Sequence, residues 1–181
     1  MEFTRTDLDG VFLIKPKVFN DTRGFFLESY STEKFKDAGI ECAFVQDNHS
    51  RSNQKGVVRG LHFQKPPYAQ SKLVRVTRGA VWDVVVDLRK SSPTFGKWRG
   101  FELSERNFHM LFVPRGFAHG FCTLEPDSEM QYKVDNLYAP DYDAGIIWDA
   151  PELAISWPVN NPVLSDKDAK LPSFKQMNSP F

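Results

Sequence analysis

The chain has 181 residues, of which 41% are apolar and sixteen are phenylalanine; this is enough to bury a core and too apolar for a disordered polymer. Twenty-three basic residues balance twenty-three acidic ones, so no broad positive field exists to attract nucleic acid or an anionic membrane, and an anionic ligand must be held by a few placed cations. Cys42 and Cys122 lie far apart and form no disulfide framework, which fits a reducing cytoplasm, and neither a signal peptide nor a run of the roughly 20 apolar residues that span a bilayer is visible.

The length fits one domain over residues 1–181, with room for an arm. The first 50 residues mix strand-like alternation with turns such as Asp21-Thr22-Arg23-Gly24, a pattern open to an arm packed against a partner subunit. "STEKFKDAG" (31–39) has a Ser/Thr start and a glycine stop and predicts one short helix. "KLVRVTRGAVWDVVVDLR" (72–89) reads as two strands around Arg78-Gly79, and "HMLFVPRGFAHGFCTL" (109–124) as two more broken at Pro114 and Gly116. "MQYKV" (130–134) alternates, with Met130, Tyr132 and Val134 on one face. "LSDKDAK" (164–170) predicts a single turn near the C-terminus. Short strands with turn signals about every ten residues predict an all-β sandwich or barrel with few helices.

"VVRGLHFQKPP" (57–67) raises the chemical question. Small β-barrels often hold a metal through H-x-H, a nearby glutamate and a later P-x-G-x-x-H turn. Pro114, Gly116 and His119 keep the last element, but the first reads His62 and Gln64, with no carboxylate following in "QKPPYAQSK". Two imidazoles without a third strong ligand make a poor zinc or iron site, so no metal is expected. Neutral imidazole suits proton abstraction near neutral pH, and it needs a carboxylate to fix its tautomer; Asp83, Asp87, Asp143 and Asp168 all qualify by type. Lys72 is a candidate to stabilise an oxyanion, and Tyr132 a candidate to return a proton from the opposite face. Each also has an ordinary structural role open to it. His62 suits a packed histidine, Lys72 a solvated strand lysine, Tyr132 a core aromatic, and Asp168 the S-x-x-D cap begun by Ser165.

Seven stretches in order resemble the dTDP-4-dehydrorhamnose 3,5-epimerase family of cupin-type sugar-nucleotide epimerases. They are "DTRGFFLESY" (21–30), "FVQDNHSRSNQKGVVRGLHFQ" (44–64), "QSKLVRVTRGAVWDVVVDLRKSSPTFGKW" (70–98), "FVPRGFAHGF" (112–121), "YKVDNLYAP" (132–140), "GIIWDAPELAISWP" (145–158) and "LSDKDAKLP" (164–172). The resemblance implies a cupin-type double-stranded β-helix, or jelly-roll barrel, without cofactor or metal, in a homodimer whose N-terminal strands are exchanged. It implies inversion of C3 and C5 of dTDP-4-dehydro-6-deoxy-D-glucose, two carbons flanking one ketone, on the path to dTDP-L-rhamnose. By the same resemblance His62 is the general base, Asp168 its carboxylate partner, Lys72 the cation at the enolate oxygen and Tyr132 the proton donor. Arg23 and Arg59 match diphosphate-binding positions. Tyr138 matches the aromatic that stacks on thymine. Glu28, Gln46, Asp47, Asn48, His119 and Lys167 match further substrate-binding positions. The family pattern carries glutamate where this chain has Asp143, so the carboxylate is kept with a reach one methylene shorter. The competing expectations are an epimerase acting at one carbon, a metal-dependent cupin oxygenase and an inactive sugar-nucleotide binder. Gln64 speaks against the oxygenase; the full set His62, Lys72, Tyr132 and Asp168 speaks against the inactive binder.

Overall fold

Period-two alternation along the chain produces thirteen strands in a computed structural model describing all of residues 1–181. In order they are β1 (Glu2–Arg5), β2 (Phe12–Lys15), β3 (Val18–Asp21), β4 (Gly24–Leu27), β5 (Gln46–Ser52), β6 (Val58–Gln64), β7 (Lys72–Arg78), β8 (Ala80–Asp87), β9 (Trp98–Ser104), β10 (Met110–Val113), β11 (Phe117–Thr123), β12 (Ser128–Val134) and β13 (Asp143–Gly145). A six-stranded sheet has the order β1-β2-β10-β7-β12-β5, and a five-stranded sheet the order β13-β6-β11-β8-β9. The named strands pair antiparallel throughout. Together the two sheets form the jelly-roll barrel.

The two strands expected in residues 72–89 are present, but they belong to different sheets. The chain switches sheets at Gly79, whose φ is +71°, and a Cβ there would lie 2.5 Å from Ser128 Oγ. Only glycine satisfies both the left-handed backbone and the close approach.

Alternation also sorts the core. Val74, Val76, Val81, Val85, Leu111, Phe117, Phe121 and Met130 turn into the barrel. Leu61, Phe63, Val84, Val86 and Ala118 turn outward from the five-stranded sheet, where Ile146, Ala150, Leu153 and the C-terminal Phe174 and Phe181 cover them. The outer face of the six-stranded sheet is covered by α1 (Thr32–Asp37) through Phe35, packed on Ile14, Leu73 and Met110. Burying such a phenylalanine contributes roughly 2–3 kcal/mol. Ser31 caps α1 by accepting the Lys34 N–H, and the chain leaves the helix through Gly39 in the left-handed region.

Of the N-terminal region expected to be exchanged, β1 and β2 pair inside the chain's own six-stranded sheet, because Phe12 and Ile14 of β2 are buried there. The β3–β4 hairpin alone joins neither large sheet. It carries Phe19, Phe25 and Phe26 at 52%, 59% and 69% exposure, an apolar arm unusual for a surface hairpin. No helix is long and apolar enough to cross a membrane.

Candidate active site

The inward positions of β6, β7, β11 and β12 stop being apolar near one end of the barrel. There they present His62, Lys72, His119 and Tyr132 to a cavity of about 450 Å³, which Arg59, Ser50, Lys167 and Asp168 also line. A second cavity of about 370 Å³ shares His62, Lys72, Tyr132 and Lys167 and adds Gln46, Asn48, Tyr138 and Asp143. The reactive side chains therefore stand where the two spaces meet. His62 comes from the five-stranded sheet, whereas Tyr132 and Lys72 come from the six-stranded sheet, so acid and base candidates occupy opposite walls.

Close strand approach makes this geometry. His62 and His119 are direct cross-strand partners of β6 and β11, and the register shifts just beyond them. Gly60 (φ +124°) and Gly120 meet at that point; a Cβ on Gly60 would lie 2.6 Å from the Gly120 Cα. Two glycines in contact let the histidine strands close.

The four aspartates that sequence left open each find a different partner. Asp168 Oδ1 lies 2.6 Å from His62 Nε2, and its Oδ2 accepts the Gly60 N–H at 3.4 Å. Asp83 receives His119 Nε2 at 2.9 and 3.0 Å. Asp87 is wholly buried and binds Arg89, Ser92 and Thr94; burial raises its carboxyl, but these hydrogen bonds outweigh burial and hold it at about 2. Asp143 binds Lys167 Nζ and accepts the Tyr138 hydroxyl at 3.1 Å. The S-x-x-D expectation at Ser165 also holds: Ser165 Oγ accepts the Asp168 N–H while the Asp168 side chain turns to His62.

The electrostatics suit proton transfer. Burial works to raise Asp168, yet the bonds from His62, Gly60 and Ser165 prevail and keep it below the usual carboxylate range. An ionised Asp168 accepts the Nε2–H, which leaves the lone pair of His62 on Nδ1. Burial raises the Tyr132 phenol and so keeps it protonated. Burial pushes Lys72 down to about 8, against the opposing pull of Asp83 and Asp143, so its ammonium form predominates at neutral pH.

The remaining expected binding residues divide. Arg59 lines the first cavity, braced through Nε to Ser52 Oγ and Nη2 to the Arg51 carbonyl. Gln46 and Asn48 face the second, joined to each other at 2.9 Å, and Gln46 Oε1 accepts the Tyr138 N–H at 3.4 Å. Asp47, between them on β5, points to the opposite face and pairs with Lys133. Strand alternation turns its side chain away from these cavities. Arg23, 88% exposed, pairs with Asp21 on the hairpin, and Glu28 pairs with Lys34; neither lines the cavities of its own chain.

Gln64 has a role that its reading as a missing metal ligand did not reveal. Its Nε2 donates to the Tyr68 and Leu137 carbonyls at 2.7 and 3.1 Å, and its Oε1 accepts the Ala139 N–H at 2.7 Å. The amide thereby fixes the loop bearing Tyr138, a task that needs donor and acceptor together. No three His, Cys, Asp or Glu side chains converge as a metal-binding group. Ser50 and Ser165 also line the cavity; no signal distinguished Ser50 in the sequence, and Ser165 stood out there only as a cap.

Comparison with known proteins gives a consistent result. The family model described as dTDP-4-dehydrorhamnose 3,5-epimerase matches residues 5–176. A protein of that name from Shigella flexneri is 53% identical over 169 residues, covering 93% of each chain. The crystal structure of a dTDP-4-dehydrorhamnose 3,5-epimerase from Bacillus anthracis with TDP and PPi bound superposes with a TM-score of 0.94 at 52% identity, covering 96% of this chain and 99% of that one. A dTDP-6-deoxy-D-glucose-3,5-epimerase from Legionella pneumophila, in complex with dTDP-4-keto-L-rhamnose, superposes with a TM-score of 0.93 at 44% identity, covering 98% and 94%.

Proposed function

The chain belongs to the dTDP-4-dehydrorhamnose 3,5-epimerase family, and from that premise we propose how its own residues divide the reaction. The enzyme inverts C3 and C5 of dTDP-4-dehydro-6-deoxy-D-glucose to give dTDP-4-dehydro-L-rhamnose, a step of dTDP-rhamnose biosynthesis. Both carbons flank the C4 ketone, so loss of either proton gives an enolate with its charge on O4. His62 Nδ1 takes the proton, and Asp168 holds the ring and stabilises the imidazolium. The Lys72 ammonium meets the charge developing on O4. The Tyr132 phenol returns a proton to the other ring face; before the second inversion the His62 imidazolium releases its proton to solvent and the phenolate regains one from it. The observation that carries this reading is the His62–Asp168 pair on one wall of the cavity with Tyr132 on the other.

The test is incubation with substrate in D2O, followed by NMR. Wild-type enzyme is expected to place deuterium at both C3 and C5; deuterium at C3 alone would select an epimerase acting at one carbon. Tyr132→Phe is expected to lose epimerised product by about 10²-fold or more while still exchanging protons with solvent, because abstraction does not need the phenol. Equal loss of exchange and inversion would remove Tyr132 from the reprotonation step.

Arg59 supplies one placed cation for the diphosphate, and Tyr138, with its hydroxyl held by Asp143, offers its ring to thymine. Asp143 acts on Tyr138 and Lys167 rather than on the nucleotide. Arg23 and Glu28 reach a site only from the β3–β4 hairpin of a second subunit, whose exposed Phe19, Phe25 and Phe26 favour burial in a homodimer. Mixing inactive Arg23→Ala and His62→Ala proteins after subunit exchange is then expected to restore about a quarter of wild-type activity, since half the dimers carry one intact composite site. No recovery would mean that Arg23 acts within its own chain. The two free thiols, Cys42 and Cys122, fit a cytoplasmic enzyme.

A further inference from the structure

Asp83 stands in a row where a barrel strand ordinarily carries aliphatic residues. Its neighbours on the inward face of β8 are Val81 and Val85, and Phe117 and Phe121 flank its partner His119 on β11. The residue is wholly buried, and its hydrogen bonds come from His119 Nε2, itself 7% exposed. A carboxylate in such surroundings loses its solvation, so compensation from more than one donor is expected. Lys72, which with His119 lines the first cavity and also lines the second, makes no side-chain hydrogen bond.

We propose that Asp83 is a positioning residue for the epimerisation: its buried carboxylate fixes the His119 ring and keeps the Lys72 ammonium charged at the cavity wall. This rests on the reading of Lys72 as the cation at the enolate oxygen.

The charges around Lys72 leave Asp83 a distinct part. Tyr132 faces it from β12, Arg59 and His62 from β6, His119 from β11 and Asp143 from β13, with Lys167 and Asp168 from the C-terminal segment; β10 contributes no titratable side chain. Asp168 is engaged by His62, and Asp143 is engaged by Lys167 and Tyr138. Asp83 makes no ion pair apart from the one with His119. Burial already lowers Lys72 to about 8, and Asp83 is the first of the two carboxylates that oppose this. Only the protonated amine can stabilise an enolate, so losing the Asp83 charge moves the alkaline limb of the rate profile to lower pH.

The experiment measures kcat against pH and the titration of the Lys72 ε-carbon by NMR, in wild type and in Asp83→Asn, which keeps the size and the acceptor for His119. The expected result is a downward shift of about one pH unit in both the alkaline limb and the Lys72 midpoint, so that turnover at pH 8 falls about fivefold while turnover at pH 6 changes little. Asp83→Glu, which restores the charge, returns both toward wild type; a packing role alone would make the larger glutamate worse than asparagine. An unmoved midpoint overturns the proposal, and loss of turnover in Lys72→Met then shows that the reading of Lys72 survives it. A midpoint that moves without the rate limb removes Lys72 from the chemistry and the proposal with it. Comparing Asp83→Glu with Asp83→Gln, equal in size and different in charge, gives the same decision should the asparagine variant not fold.

Discussion

His62→Ala is expected to lower kcat by at least about 10⁴-fold while leaving the folded protein intact. General-base catalysis contributes roughly 10²–10⁴-fold in enzymes, and here both inversions draw on the same base. His62 is about a third exposed toward the cavity and is not a core residue, so truncation opens space already adjoining solvent. It does leave Asp168 without its principal donor, at 5% side-chain exposure, and a modest loss of thermal stability accompanies the loss of activity. Measured solvent exchange separates the possibilities: without the base, deuterium incorporation at C3 and C5 stops together with epimerisation. A variant that still exchanges at a near-normal rate would mean that another group removes the proton, and His62 would return to a packing role.

Lys72→Met carries the second large effect. Methionine keeps most of the length and the apolar stem, so the change removes the charge with little change in volume. A preorganised donor at a developing oxyanion is worth about 3–4 kcal/mol, which predicts a fall in kcat of about 10²–10³-fold with a smaller change in KM. The substrate's ketone is neutral when it binds and negative only as the enolate forms, so the loss falls on the chemical step. A two-fold effect would reduce Lys72 to a wall residue. The wild-type profile offers an internal check, since Lys72 at about 8 predicts falling activity above that pH, and this limb disappears in the methionine variant.

Several elements are legible in the sequence itself. The helix at 31–39, the strand breaks at Arg78-Gly79 and at Pro114 and Gly116, and the alternation of 130–134 follow from capping, turn chemistry and period-two patterning, which are local properties. The types of residue needed for abstraction and return of a proton were also legible, and family resemblance ordered them into His62, Lys72, Tyr132 and Asp168. The face of β5 was harder. Gln46, Asp47 and Asn48 form one motif in sequence, yet the pleat sends the side chains of Gln46 and Asn48 to the cavity and that of Asp47 to the opposite face.

Composition and patterning by themselves determined an all-β chain with few helices, no excess charge for a nucleic acid, and a histidine whose expected metal partner is glutamine. Only the tertiary structure decided which of four aspartates serves which partner, because His62 and Asp168 are 106 residues apart and His119 and Asp83 are 36 apart. It also decided that the adjoining strands β7 and β8 lie in opposite sheets, and that base and acid therefore face each other across one cavity. Spacing along a strand fixes the side on which a residue emerges. Sheet register, and the close meeting of Gly60 with Gly120, fix what stands opposite it, and those depend on contacts between segments that are remote in the chain.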